Sequence, residues 1–125
     1  MRWTRGGSGQ MATGEHVSLT LEPSVAVVRV SGDVDLDTAV ELWAVLEEAV
    51  SARPGVVVDL SDAGVVDSTG VGALVRGRNA ARTRSGELVL AGPSTFLRTV
   101  LETMRLTSEF PTYATVDEAV GSLKA

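Results

Sequence analysis

The sequence predicts an α/β fold: a mixed, mostly parallel β-sheet of about five strands with about four α-helices. Three observations carry this. Apolar periods of two and of 3.6 alternate along the chain in the order β-β-α-β-α-β-α-β-α. The segment Gly55–Asp59 is a nearly unbroken valine run, the pattern of a strand covered on both faces. Gly and Pro punctuate the boundaries at Pro23, Pro54, Gly86 and Pro93.

Each element has its own signal. "HVSLTLE" (16–22) alternates apolar and polar residues, as a half-buried strand does. Pro23-Ser24 makes a turn, and "VAVVRVSG" (25–32) returns as the second arm of an antiparallel hairpin. The polar loop "DVDLDTA" follows, with Asp37 or Thr38 available to cap the first helix. In that helix Ala39, Leu42, Trp43, Leu46, Ala49 and Val50 form one face, while Glu41, Glu47 and Glu48 lie on the other. "RPG" stops it, and the valine run opens the next strand. A second helix begins near Asp67–Thr69 and runs to about Arg84. "SGELVLAGP" gives a turn and a short buried strand. The third helix turns Leu97, Val100, Leu101 and Met104 inward. "FPTYA" is a short last strand, and Val116, Ala119, Val120 and Leu123 mark a C-terminal helix. Residues 1–14 lack periodicity and read as a flexible N-terminal tail, with Met11 an alternative start; residues 15–125 read as one domain.

Composition excludes several chemistries. The chain has no cysteine, which removes thiol catalysis, disulfides and cysteine metal sites and fits a reducing cytoplasm. Its single histidine, His16, removes multi-histidine metal sites. The net charge of −5 disfavours nucleic acid, where phosphate neutralisation supplies most affinity. No apolar run reaches the roughly 20 residues of a membrane span, and the first residues lack the apolar core of a secretory signal. We therefore expect no cofactor, no metal, no nucleic-acid partner and no membrane partner, and a cytoplasmic location.

The most unusual stretch is "VVDSTGVGAL" (65–74), a strand-to-helix turn with two hydroxyls and two glycines. Ser68 as a nucleophile would need a base and a group to orient it, and the one histidine lies on the first strand. Val66 stands where a nucleophile elbow requires glycine. No lysine is near enough to make a phosphate-binding loop. Asp67 or Ser68 can cap the helix, worth about 1 kcal/mol. Glycine at Gly70 and Gly72 costs the helix about 1 kcal/mol each relative to alanine. The glycines either let the helix approach its neighbours or keep the surface around the serine bare. A phosphate on Ser68 would face the positive end of the helix dipole, worth about 0.3–1 kcal/mol. From the residues alone, both a plain helix cap and a hydroxyl presented to an external kinase remain open.

The second constellation is the acidic loop "GDVDLDTA", with Asp33, Asp35 and Asp37 in alternation. It reads as a solvated loop with a capping aspartate; it lacks the glycine and distal glutamate of a calcium loop. Loops that follow parallel strands share the C-terminal edge of the sheet, so this loop and the Ser68 turn are expected on one surface.

Four segments, in order, resemble the STAS-domain family of bacterial anti-sigma factor antagonists: "VSGDVDLDTAVEL", "VVVDLSDAGVVDSTGVGAL", "RSGELVLAGPSTFLRTVLETMRL" and "FPTYATVDEAV". The resemblance covers roughly residues 15–123 and implies the STAS fold. It also implies a non-enzymatic partner switch. The unphosphorylated protein would bind an anti-sigma factor, a serine kinase of the histidine-kinase-like ATPase fold, and so release a sigma factor. Phosphorylation would switch it off, and a phosphatase would reverse this. By resemblance the phosphoacceptor is Ser68, with Thr69 a second candidate. The implied partner surface comprises Asp33, Asp35, Asp67, Ser68, Thr69, Gly70 and Val71. The kinase would bring ATP, magnesium and the general base. An alternative keeps the STAS fold but gives it a different role, as a stressosome-like scaffold or a small-ligand sensor.

Overall fold

The computed structural model describes residues 9–12 and 15–124. One six-stranded sheet runs in the order β1-β2-β3-β4-β5-β6. The strands are β1 Gly9–Ala12, β2 Val17–Leu21, β3 Val25–Val34, β4 Gly55–Val66, β5 Glu87–Ala91 and β6 Thr112–Tyr113. The helices are α1 Leu36–Ala52, α2 Ser68–Thr83, α3 Thr95–Thr103 and α4 Val116–Lys124, with a 3-10 turn at Thr107–Glu109. The pairs β1/β2 and β2/β3 are antiparallel and the rest are parallel. The β-β-α-β-α-β-α-β-α order expected from the sequence is present from β2 onward. Residues 9–12, expected in an irregular tail, form a further edge strand antiparallel to β2. The rest of that expected tail, residues 1–8 and 13–14, lies outside the described residues.

Three crossovers between neighbouring parallel strands put α1, α2 and α3 on one face, and α4 covers the other. The larger core unites Val28, Val56, Val58 and Leu90 of the sheet with Leu42 and Leu46 of α1, Leu74 of α2 and Leu97 of α3. The smaller core joins Val25, Val57 and Val89 to Ala119 of α4. The valine run thus alternates between two cores, which is why it carries no polar residue until Asp59. That aspartate is buried, and its carboxylate accepts from Arg29 Nε at 3.2 Å and from Ser61 Oγ at 2.6 Å.

Three local expectations change. Helix α1 is capped by Asp35, not Asp37 or Thr38: the chain is still extended at Asp35, and its Oδ1 accepts from Thr38 N–H at 3.1 Å. Glu41 is not free on the outer face, since its Oε2 accepts from the amides of His16 and Val17. Met104 is 48% exposed because α3 ends at Thr103 and the chain turns away through Arg105, at φ +60°.

The β3–β4 pairing positions the site. β4 pairs with β5 only as far as Asp59↔Ala91 and then continues beside β3 alone. Arg29↔Asp59 is followed by Ser31↔Asp62, and Gly32↔Ala63 by Val34↔Val66, so β4 gains one residue at each of two bulges. The two strands extend past the rest of the sheet as a ribbon ending at Val34 and Val66. Among the described residues no helix is long and apolar enough to cross a membrane.

Candidate functional site

The site is the turn that leaves this ribbon. β4 ends at Val66, Asp67 stays extended, and α2 starts at Ser68. Asp67 caps α2: its Oδ1 accepts from Thr69 N–H at 3.0 Å, Gly70 N–H at 3.2 Å and Thr69 Oγ1 at 2.5 Å. Those bonds, the Thr69 hydroxyl first, then the Gly70 amide, hold its carboxyl below the ordinary 3.8. A depressed carboxyl stabilises the fold above its unfolded value and loses that contribution only as pH falls through the folded one, so the Asp67 cap is fully charged at neutral pH.

The two hydroxyls differ. Thr69 Oγ1 is committed to Asp67, whereas Ser68, exposed, has no hydrogen-bond partner among the described residues. Nor does a base stand ready for it. His16 lies at the same sheet edge, but its Nδ1 is 3.9 Å from Glu41 Oε1. Since Asp67 already occupies the first amides of α2, a phosphate on Ser68 would find those donors taken and a carboxylate beside it. The dipole benefit expected from the sequence is reduced accordingly.

The acidic loop meets the turn as expected. Asp33 Oδ1 accepts from Val65 N–H at 2.9 Å, and Asp67 N–H donates to Val34 O at 3.2 Å. Asp33 lies in β3, which runs to Val34 instead of ending at Gly32 as expected, and so ties that strand to the end of β4, while Asp35 caps α1. Among the described residues no three acidic or histidine side chains converge on a point where a metal could sit.

Two residues expected on the partner surface lie beneath it. Val71 is 1% exposed and belongs to the large core. Gly70 is buried, and a Cβ there would lie 2.7 Å from Val66 Cγ1 and 2.8 Å from Val34 Cγ1. Gly72, two residues on, has no atom within 4 Å of an added Cβ. The two glycines therefore play different parts: Gly70 lets the helix reach the ribbon, and Gly72 leaves the surface open. Opposite responses to one substitution follow. Gly70→Ala is expected to overpack the joint by about 1–3 kcal/mol, outweighing the helix-propensity gain. Gly72→Ala is expected to stabilise the fold by up to about 1 kcal/mol. Urea denaturation of both variants measures the contrast; equal shifts would contradict the assigned packing.

Sequence reasoning missed several residues. Gly64 is one: a Cβ there would clash with Asp33 Oδ1, so the Asp33–Val65 hydrogen bond requires glycine. Its signal was a glycine inside a strand pattern. Leu36, Val40, Val65 and Phe96 are 58–64% exposed. They sit at the end of β4, in the first turns of α1 and at the start of α3, all around the edge that carries Ser68. Their signal was an apolar residue off the inward face.

Comparison with known proteins agrees with this architecture. A family model described as "Mlab, STAS domain" matches residues 17–111. An anti-sigma factor antagonist from Mycobacterium paratuberculosis is 29% identical, with a TM-score of 0.74 over 87% of this chain and 93% of that one. The Bacillus cell fate determinant SpoIIAA in its phosphorylated form is 22% identical, with a TM-score of 0.70 over 85% and 97%. A sulfate transporter family protein from Wolinella succinogenes is 21% identical, with a TM-score of 0.70 over 80% and 84%. A single sheet with α1–α3 on one face, a serine turn at the end of its long central strand, and a family match across most of that sheet lead to one assignment: the chain belongs to the STAS-domain family.

Proposed function

We propose that the protein is an anti-sigma factor antagonist whose binding to an anti-sigma serine kinase is controlled by phosphorylation of Ser68. The observation that carries this reading is the unpaired, exposed Ser68 hydroxyl in the first turn of α2. The likeness to the mycobacterial antagonist supports it. The unphosphorylated turn offers the kinase a hydroxyl flanked by Thr69, Asp33 and Asp35, and the kinase supplies nucleotide, magnesium and base. Binding frees the sigma factor, and a phosphatase acting on phospho-Ser68 restores the antagonist. In this cycle the chain acts as a binding partner rather than a catalyst, and it works in the bacterial cytoplasm, where sigma factors act.

The switch is electrostatic. Phosphorylation adds about −1.5 to −2 charges at neutral pH. Asp67 holds its negative charge there and already takes the helix amides, so the phosphate meets like charge. Thr69 is the weaker acceptor because its hydroxyl is bound. The test is incubation with ATP and anti-sigma kinases of the histidine-kinase-like ATPase fold from the same genome, with phosphate mapped by mass spectrometry. Phosphate at Ser68 supports the proposal; a kinase active on other substrates that leaves Ser68 unmodified rejects it.

The sulfate transporter relative motivates a second reading, a STAS module that serves as a scaffold or ligand sensor. A ligand retained through native mass spectrometry, or a large stable assembly in size-exclusion chromatography, would favour it.

A further inference from the structure

Beside the serine turn, α1 and α2 leave an open, largely apolar groove of about 440 Å³ between their N-terminal halves. From α1 it is lined by Leu36, Ala39, Val40 and Trp43; from α2, by Thr69, Gly72, Ala73 and Arg76. Both sets fall at i, i+3, i+4 and i+7, so two helical ridges face each other along the groove. Its floor is small: Ala39 and Ala73 are buried, and Gly72 has no side chain. Its α1 wall is unusually bare, with Leu36 62% and Val40 64% exposed. At the far end the Arg76 guanidinium of α2 lies 4.3 Å from the centroid of the Trp43 ring of α1, a stacking that bridges the two helices.

We propose that this groove docks an amphipathic helix of the anti-sigma kinase, laid alongside α1 and α2 and bringing the kinase onto Ser68. Two ridges over a small-residue floor fit a third helix with apolar residues at i, i+3 or i+4, and i+7. Charge fixes its chemistry. The end near Ser68 carries Asp35, Asp37 and Asp67, and the far end carries Arg76. The matching helix places basic side chains over the aspartates and an acidic one near Arg76. Thr69 belongs to both the groove and the turn, so the docked helix is continuous with the site of modification. The proposal rests on the antagonist reading and adds where the affinity resides: in the apolar groove, with the serine turn as its switch.

The experiment uses purified anti-sigma kinase from the same genome, tested for phosphorylation of Ser68 with ATP and for binding when loaded with ADP, and calorimetry on the full chain. Gly72→Leu fills the groove at a position where no atom opposes a side chain, and Val40→Glu puts a carboxylate on its wall. Both are expected to keep the melting temperature of the parent or raise it, and to lower affinity at least ten-fold. Affinity within two-fold of the parent for both folded variants would overturn the groove while leaving the antagonist reading intact. If the parent chain neither binds nor is phosphorylated, that reading fails and the groove proposal with it. Sedimentation of the free chain gives the remaining outcome: a dimer that Gly72→Leu dissociates would make a second copy the occupant and reject the kinase helix.

Discussion

Ser68→Asp is expected to weaken kinase binding roughly 30-fold or more, an energy of about 2 kcal/mol. The permanent charge would sit beside Asp67, which is ionised at neutral pH, and near Asp33 and Asp35, in the surface proposed to close against the partner. Like charge brought together under a closed interface costs several kcal/mol, and an aspartate carries less charge than a phosphate, so phosphorylation itself should act more strongly. Ser68→Ala removes the acceptor and leaves the surface, so it should bind like the unmodified protein and resist switching. The fold should be indifferent to both changes, since the Ser68 hydroxyl is exposed and makes no hydrogen bond among the described residues. Calorimetric titration of both variants decides the matter. Equal affinities would mean that charge at this turn is not the signal.

Leu74→Ala is expected to destabilise the fold by about 2–5 kcal/mol, the usual cost of emptying a fully enclosed leucine site. Leu74 is 0% exposed and shares the large core with Leu46 of α1 and Leu88 of β5. The midpoint of thermal unfolding should fall by roughly 10 °C for a domain of this size. Met104→Ala is the control: at 48% exposure it should stay within about 0.5 kcal/mol of the parent. Binding separates the two roles of α2. Below its new midpoint, Leu74→Ala should retain affinity if the helix start is held by Asp67 and the ribbon, because those contacts do not involve Leu74. Similar losses for Leu74 and Met104 would contradict the large core between the sheet and α1–α3.

Much of this fold was legible because its signals are local. The valine run of β4 and the 3.6-residue spacing of Leu42, Leu46 and Ala49 need no knowledge of the rest of the chain. The serine turn was legible for the same reason: its capping aspartate, hydroxyls and glycines are consecutive. What stayed hidden depends on residues far apart. Gly64 is required by Asp33, about thirty residues earlier, and Gly70 by Val34. The proximity of Gly70 and Val71 to Ser68 makes them look like partner contacts, but a helix turns successive residues by about 100°, which sends these two into the ribbon and the core. The groove is invisible in either helix alone because it belongs to both; the periodicity of α1 by itself turns Trp43 and Ala39 inward.

The paired bulges in β4 carry a rule about chain length. Side chains alternate faces along a strand, so one added residue would turn everything beyond it over. Two restore the original sense, and Val66 is buried in the same core as Val56 and Val58. Deleting one residue between Ser61 and Val65 should present the opposite side of the turn to a partner, with Thr69 where Ser68 belongs. Deleting two should shorten the ribbon yet keep the serine facing outward. Insertions and deletions in this segment are therefore expected to be tolerated by twos, a parity constraint on a turn whose own residues are untouched.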